Sequence, residues 1–350
     1  MRKELTSFSL LLVLLSGCEE YYTPVIDTVE GQLVVEAMLT NDPSRNFVHL
    51  TTTSSFYDKE LPKAVSGASV ELVETNGSIT QGVENVPGYF YFNTIPAAGR
   101  NYLLRIKLDK DIYESEAVTM PPLPTITNFY TGHAEKRTYV TDGYGIPVAH
   151  DIQGREIYAD LPADYSISYY RFNVRSTIEW VFTPVVPGPP PPPTYGWQSY
   201  YENRQFNIAG PKKFSQAGNI EKHPLLMLSY NAIDYLQSDL LVQNGWILII
   251  DQFGTSKASF EYHEKLNSQF LADGSLFDPV QTQVYGNITC KTDPSKIVFG
   301  YFDLNSYRQY RYYYNMTGPN GALTLRQIFR YPDIPDDGQI IGWPPEWWER

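Results

Sequence analysis

Period-two alternation of apolar and polar positions runs through the first third of the chain. Tyr102, Leu104, Ile106 and Leu108 alternate with Leu103, Arg105 and Lys107, the pattern of a strand that buries one face. Gln32–Leu39, Phe47–Phe56, Ala68–Glu74 and Gly88–Phe92 read as further strands. Asp109-Lys110-Asp111 makes a charged turn before a return at Ile112–Thr119, and Thr75-Asn76-Gly77 supplies a hairpin turn. Six or seven such strands, spaced about ten residues apart, predict a β-sandwich of immunoglobulin or prealbumin type over residues 31–122. Met120-Pro121-Pro122-Leu123-Pro124-Thr125 ends it, because proline cannot continue a ladder.

Residues 126–350 predict a larger β-rich domain with one or two helices. Its strand-like runs are Tyr165–Val174, Ser176–Val185, Tyr195–Ile208, Leu225–Tyr230, Trp246–Gln252, Ile297–Asp303, Ser306–Met316 and Leu323–Phe329. Phe260, His263, Leu266 and Phe270 recur at helical spacing and predict a helix over Ser259–Leu271, closed by Ala272-Asp273-Gly274. Pro187–Thr194 holds five consecutive prolines, which set a stiff extended loop between two strand-like runs.

The first seventeen residues follow a different logic. Arg2 and Lys3 precede the apolar run Phe8–Leu15 and the small pair Ser16-Gly17, the layout of a secretory signal. The run is shorter than the roughly 20 apolar residues needed to cross a bilayer. Leu15-Ser16-Gly17-Cys18 resembles a bacterial lipobox, which makes Cys18 the expected lipidation site after removal of residues 1–17. Glu19 and Glu20 resemble a surface-export signal, residues 18–30 read as a tether, and Asp27-Thr28-Val29 offers Thr28 as a candidate O-glycosylation site. The expected location is the outer membrane, lipid-anchored and facing the cell surface.

Composition narrows the function classes. A net charge of −12 without a basic cluster argues against nucleic acid, whose affinity comes from neutralised phosphates. With Cys18 acylated, Cys290 has no disulfide partner and reads as a small semi-buried apolar residue in a strand. The five histidines, at 49, 133, 150, 223 and 263, show no metal-ligand spacing. His150-Asp151 reads as a loop dipeptide. There is no nucleophile elbow and no phosphate loop. Asp333, Asp336 and Asp337 before Gly338 hint at calcium without the EF-hand order. No cofactor, metal or catalytic residue is therefore expected. The chain does carry 28 tyrosines, with Tyr307, Tyr310, Tyr312, Tyr313 and Tyr314 crowded into one run. Trp343, Trp347 and Trp348 stand in the tail. Tyr310, Tyr312 and these tryptophans are the candidate partner or ligand contacts, since such rings are enriched at binding hot spots.

Several segments carry a family resemblance: Gln32–Ala37 with Thr40-Asn41-Asp42-Pro43, Gly67–Leu72, Gly88-Tyr89, Gly99–Ile106, Gly286-Asn287-Ile288 and Val298–Phe302. Together they resemble an uncharacterised family of Bacteroidota surface lipoproteins, a domain of unknown function often encoded beside TonB-dependent transporters. Many members end in a cysteine pair, whereas Gly342–Arg350 here contains no cysteine. The resemblance implies a non-enzymatic lipoprotein accessory to an outer-membrane β-barrel transporter, helping it capture or hand over a ligand such as a glycan or peptide. A structural or assembly subunit of an outer-membrane complex is the alternative, and a surface hydrolase the weaker one.

Overall fold

The structure, a computed structural model, describes residues 31–54, 61–123, 128–161, 169–182, 187–189, 194–201, 206–211, 219–229, 241–270, 283–315 and 326–327. Within them the chain is mainly β, with one α-helix.

The first part forms β1 (Leu33–Thr40), a 3-10 turn (Pro43–Arg45), β2 (Phe47–Thr52), β3 (Ser69–Glu74), β4 (Ile79–Gln81), β5 (Val83–Val86), β6 (Tyr89–Tyr91), β7 (Asn101–Leu108), β8 (Asp111–Ser115) and β9 (Val118–Thr119). A long hairpin follows, β10 (Asn128–Thr141) and β11 (Pro147–Leu161). Then come β12 (Tyr170–Phe182), β13 (Thr194–Tyr201), β14 (Asn207–Ala209), β15 (Ile220–Ser229), β16 (Leu241–Gly254) and α1 (Lys257–Phe270). The chain returns through β17 (Ile288–Cys290), β18 (Val298–Asn315) and β19 (Arg326–Gln327).

One large sheet runs β13-β12-β16-β18-β1-β2-β6-β5 through the molecule. A second, β17-β8-β7-β3-β4, packs against its β1 side, and a third, β10-β11-β15, against its β12 side. The first core holds Val35, Leu39, Leu50, Leu72, Phe90, Leu104 and Ile106 together with late residues Ile288, Phe302 and Leu304. The second holds Ile157, Leu161, Phe172, Val174, Leu248 and Ile250. β18 belongs to both. Its first half pairs parallel with β1, Leu33 to Val298 through Thr40 to Asn305, and its second half pairs antiparallel with β16.

The late return is held by close backbone contacts. Gly286 and Gly300 are stacked so tightly that a Cβ on Gly286 would sit 1.6 Å from the Gly300 carbonyl oxygen. A Cβ on Gly300 would meet the Val35 carbonyl oxygen at 1.9 Å, and its φ of +89° is left-handed. Asn287 then clasps the strand: its side chain donates to the Phe302 carbonyl and accepts from the Phe302 N–H, both at 2.9 Å. On the other side Asn41 does the same to Tyr307, donating to its carbonyl at 3.0 Å. Gly300→Ala is therefore expected to cost about 2–5 kcal/mol, combining left-handed strain with overpacking. Gly67→Ala, where φ is +77° and nothing lies within 4 Å, should cost only the strain. Urea midpoints would check this; an equal loss at both sites would mean the close approach is dispensable.

The structure revises several sequence expectations. Ile297–Asp303 and Ser306–Met316, read as separate strands, form the single strand β18, and Tyr165–Val174 with Ser176–Val185 merge into β12. Tyr195–Ile208 divides into β13 and β14. His150-Asp151 lies inside β11, not in a loop, and Asp151 accepts two hydrogen bonds from Arg137 across the hairpin. The hairpin escapes a pattern reading because its outer half is wet on both faces. Tyr139, Val140, Tyr144 and Ile146 are all exposed, so no apolar alternation marks it. The helix stands close to its expected span, with His263 buried as the stripe implied.

Candidate functional site

Strand parity divides the large sheet sharply. On β1 and β18, Val35, Ala37, Leu39, Phe302 and Leu304 face the first core. The alternate positions Glu36, Met38, Tyr301, Asp303, Asn305 and Tyr307 share the opposite face, as do Arg171, Asp251 and Phe253 on the neighbouring strands. This face is polar yet largely covered, by α1 at one end and by the Pro43–Arg45 turn at the other.

Between α1, β1 and β18 lies a pocket of about 400 Å³. Its base is an ion pair: Arg171 Nη1 stands 3.3 Å from Asp303 Oδ2, with side chains only 10 % and 7 % exposed. Arg171 also lies over the Phe253 ring, 4.8 Å from its centre, and donates to His263 Nε2 at 3.0 Å. Tyr262 of α1 stacks on Tyr301 of β18 at 4.4 Å to form one wall. Phe206 meets His263 edge-on at 4.7 Å, and its backbone is clamped by Asn267 through hydrogen bonds of 2.8 and 2.7 Å. α1 is thus fastened over the site at both its sheet and its loop contacts.

The electrostatics follow from burial. His263 Nδ1 lies 2.8 Å from the Ser259 carbonyl, which can only accept, so Nδ1 carries the proton. Nε2 must then accept from Arg171, which can only donate. Burial, then the adjacent guanidinium, hold the imidazole below its ordinary pKa, so it is neutral. Ser259 Oγ is 3.4 Å from the same ring, but both ring nitrogens are already committed and neither is a free base. Burial and then Asp303 raise the hydroxyls of Tyr262 and Tyr301, which stay protonated donors at neutral pH. Asp303 accepts no hydrogen bond on either oxygen and Arg171 Nε donates none.

Further along the face, Asp251 Oδ1 collects the Tyr307 hydroxyl at 2.7 Å, Gln309 at 2.7 Å and Arg45 at 3.3 Å. Arg45 lies over the Tyr307 ring at 4.2 Å, so this cluster is internally complete and ties the turn to the sheet. A second concavity, about 500 Å³, runs along β17 beside Tyr285, Cys290 and Lys296. Lys296 is engaged by Asp111, and Cys290 is fully buried rather than semi-buried. Among the described residues no group of three His, Cys, Asp or Glu is placed to hold a metal.

Of the residues singled out from sequence, Cys18, Glu19, Glu20, Thr28, Trp343, Trp347 and Trp348 lie outside the described residues, as do Asp333, Asp336 and Asp337. Tyr310 and Tyr312 are half-buried against the second core, each edge-on to Phe129 at 5.1 and 5.3 Å. Both rings are engaged by this packing rather than standing as open ligand platforms. The pocket residues Arg171, Asp303, Tyr262 and Tyr301 were not singled out. A signal existed in Tyr170-Arg171-Phe172 and Phe302-Asp303-Leu304, each a charge between two apolar strand positions. That pattern normally marks a solvent face, and here α1 covers the face.

A family model described as Domain of unknown function (DUF4249) matches residues 19–311. No curated protein and no solved structure matches the chain.

Proposed function

The chain belongs to the DUF4249 family, and from its own residues we propose that it is a non-enzymatic surface lipoprotein of the outer membrane that captures a ligand for a TonB-dependent transporter. The observation that carries the binding role is the pocket under α1. It combines aromatic walls with a buried charged base, the composition of a small-molecule site. Its histidine has no free nitrogen to act as a base, which favours holding a ligand over converting it. Leu15–Cys18 supports anchoring, and Glu19-Glu20 supports display at the surface. More than one acyl chain on Cys18 would hold the protein firmly, since a single chain gives only marginal binding.

A second reading, a structural or assembly subunit, is favoured by the β10–β11 tip. Tyr139, Val140, Tyr144 and Ile146 project there with 53 % or more of each exposed, away from both cores. Such a tip suits insertion into a partner.

Cys18→Ala is expected to move the protein from the outer-membrane fraction to the soluble fraction. Retention in the membrane would sink the anchor. Purification of the intact lipoprotein should also bring down a β-barrel partner in near-equal amount.

A further inference from the structure

The base of the pocket under α1 is chemically incomplete. Asp303 is buried, yet neither carboxylate oxygen accepts a hydrogen bond. Arg171 Nε–H is buried beside it and donates to nothing. The 3.3 Å approach of the two side chains is an attraction of charges without a directed hydrogen bond. Buried polar groups are costly when unmatched, so an acceptor pair and a donor left side by side mark a place for a third participant.

That participant must donate to Asp303 and accept from Arg171 from the same side. An ammonium group only donates. A carboxylate or phosphate only accepts, and would face Asp303 together with Glu36, another pocket residue. Within a single trans peptide group the N–H and C=O point in opposite directions, so one such group does not meet both. Neighbouring hydroxyls on a ring do both, because each can donate and accept. The walls agree: Tyr262, Tyr301, Phe47 and Phe206 offer apolar surface to ring C–H groups, and about 400 Å³ accommodates a molecule of one or two sugar rings. We propose that this pocket binds a neutral sugar, with adjacent hydroxyls bridging Asp303 and Arg171. The proposal rests on the ligand-capture reading and gives its ligand a class.

The test uses the full lipidated chain in a zwitterionic detergent, titrated with glucose, galactose and mannose and followed by saturation-transfer NMR. Glucosamine and glucuronate serve as charged comparators. At least one neutral hexose should bind, about tenfold or more tighter than its charged counterparts. Leu266→Trp fills the pocket from a half-buried position on α1 without touching the ion pair. It should abolish binding with the melting temperature unchanged, whereas Asp303→Asn should weaken binding about tenfold or more. Failure of all three hexoses, tighter binding of a charged sugar, or binding that survives Leu266→Trp would each overturn the proposal. A barrel partner that still co-purifies in that case leaves the accessory role standing and removes only the sugar.

Discussion

Residues 31–122 expressed alone are expected to show no cooperative unfolding transition. Read from sequence, this segment is a complete sandwich. In the structure its core also contains Ile288, Cys290, Val298, Phe302 and Leu304, each no more than 6 % exposed. Burying one such side chain contributes about 1.5–3 kcal/mol. Losing five therefore removes on the order of 10 kcal/mol, comparable to the whole stability of a typical domain, about 5–15 kcal/mol. The loss is also structural. Without β18, β1 becomes an unpaired sheet edge, and without β17, β8 does too. Circular dichroism melts of the segment should be flat, and adding residues 283–315 as a separate polypeptide should restore a transition. A sharp melt of the segment by itself would show that the late strands decorate a sandwich already stable.

The second large effect is expected at the Arg171–Asp303 pair. Both side chains are nearly inaccessible, so removing one leaves the other charged and unmatched inside the protein. Arg171→Met and Asp303→Leu should each cost about 3–5 kcal/mol. The double variant should recover most of that, because two apolar groups of similar volume leave no orphaned charge. Arg171→Met also strips the donor from His263 Nε2 and should be the worse of the two. Chemical denaturation of the four proteins closes the cycle. Additive single losses would mean that the two side chains do not sense each other. Recovered stability with lost sugar binding would mean that the pair is kept for its ligand.

Most strands between residues 33 and 119 were legible because they bury one face and show its period in the sequence, whereas the short β4 and β5, with no buried position, were not. Leu104 and Ile106 point to the core, and Arg105 and Lys107 reach Glu114 and Glu71 across neighbouring strands. The landmark segments were legible as a family pattern, and their physical content is now visible: Gly286 and Gly300 make room for backbone, while Asn41 and Asn287 grip it. The pocket was not legible. Glu36, Arg171, His263 and Asp303 come from four separate elements, and only the fold brings them together. A charge inside a strand looks solvated until the covering helix is known. His263 gave the one local clue, an imidazole on the apolar stripe of a helix, and its partner Arg171 lies 92 residues earlier.

The parallel pairing of β1 with β18 also fixes when folding can happen. Val298 follows its partner Leu33 by 265 residues. At a synthesis rate of about 5–20 residues per second, β1 waits on the order of 10–50 s for its neighbour. Through that interval the open edge of β1 and the apolar side chains destined for the first core stay available to other chains. Folding is governed by the last strands to be made, and the high sequence separation of their contacts makes closure slow. The first core therefore stays open until the segment up to residue 305 has joined it, and its apolar side chains are exposed to association for as long as that takes.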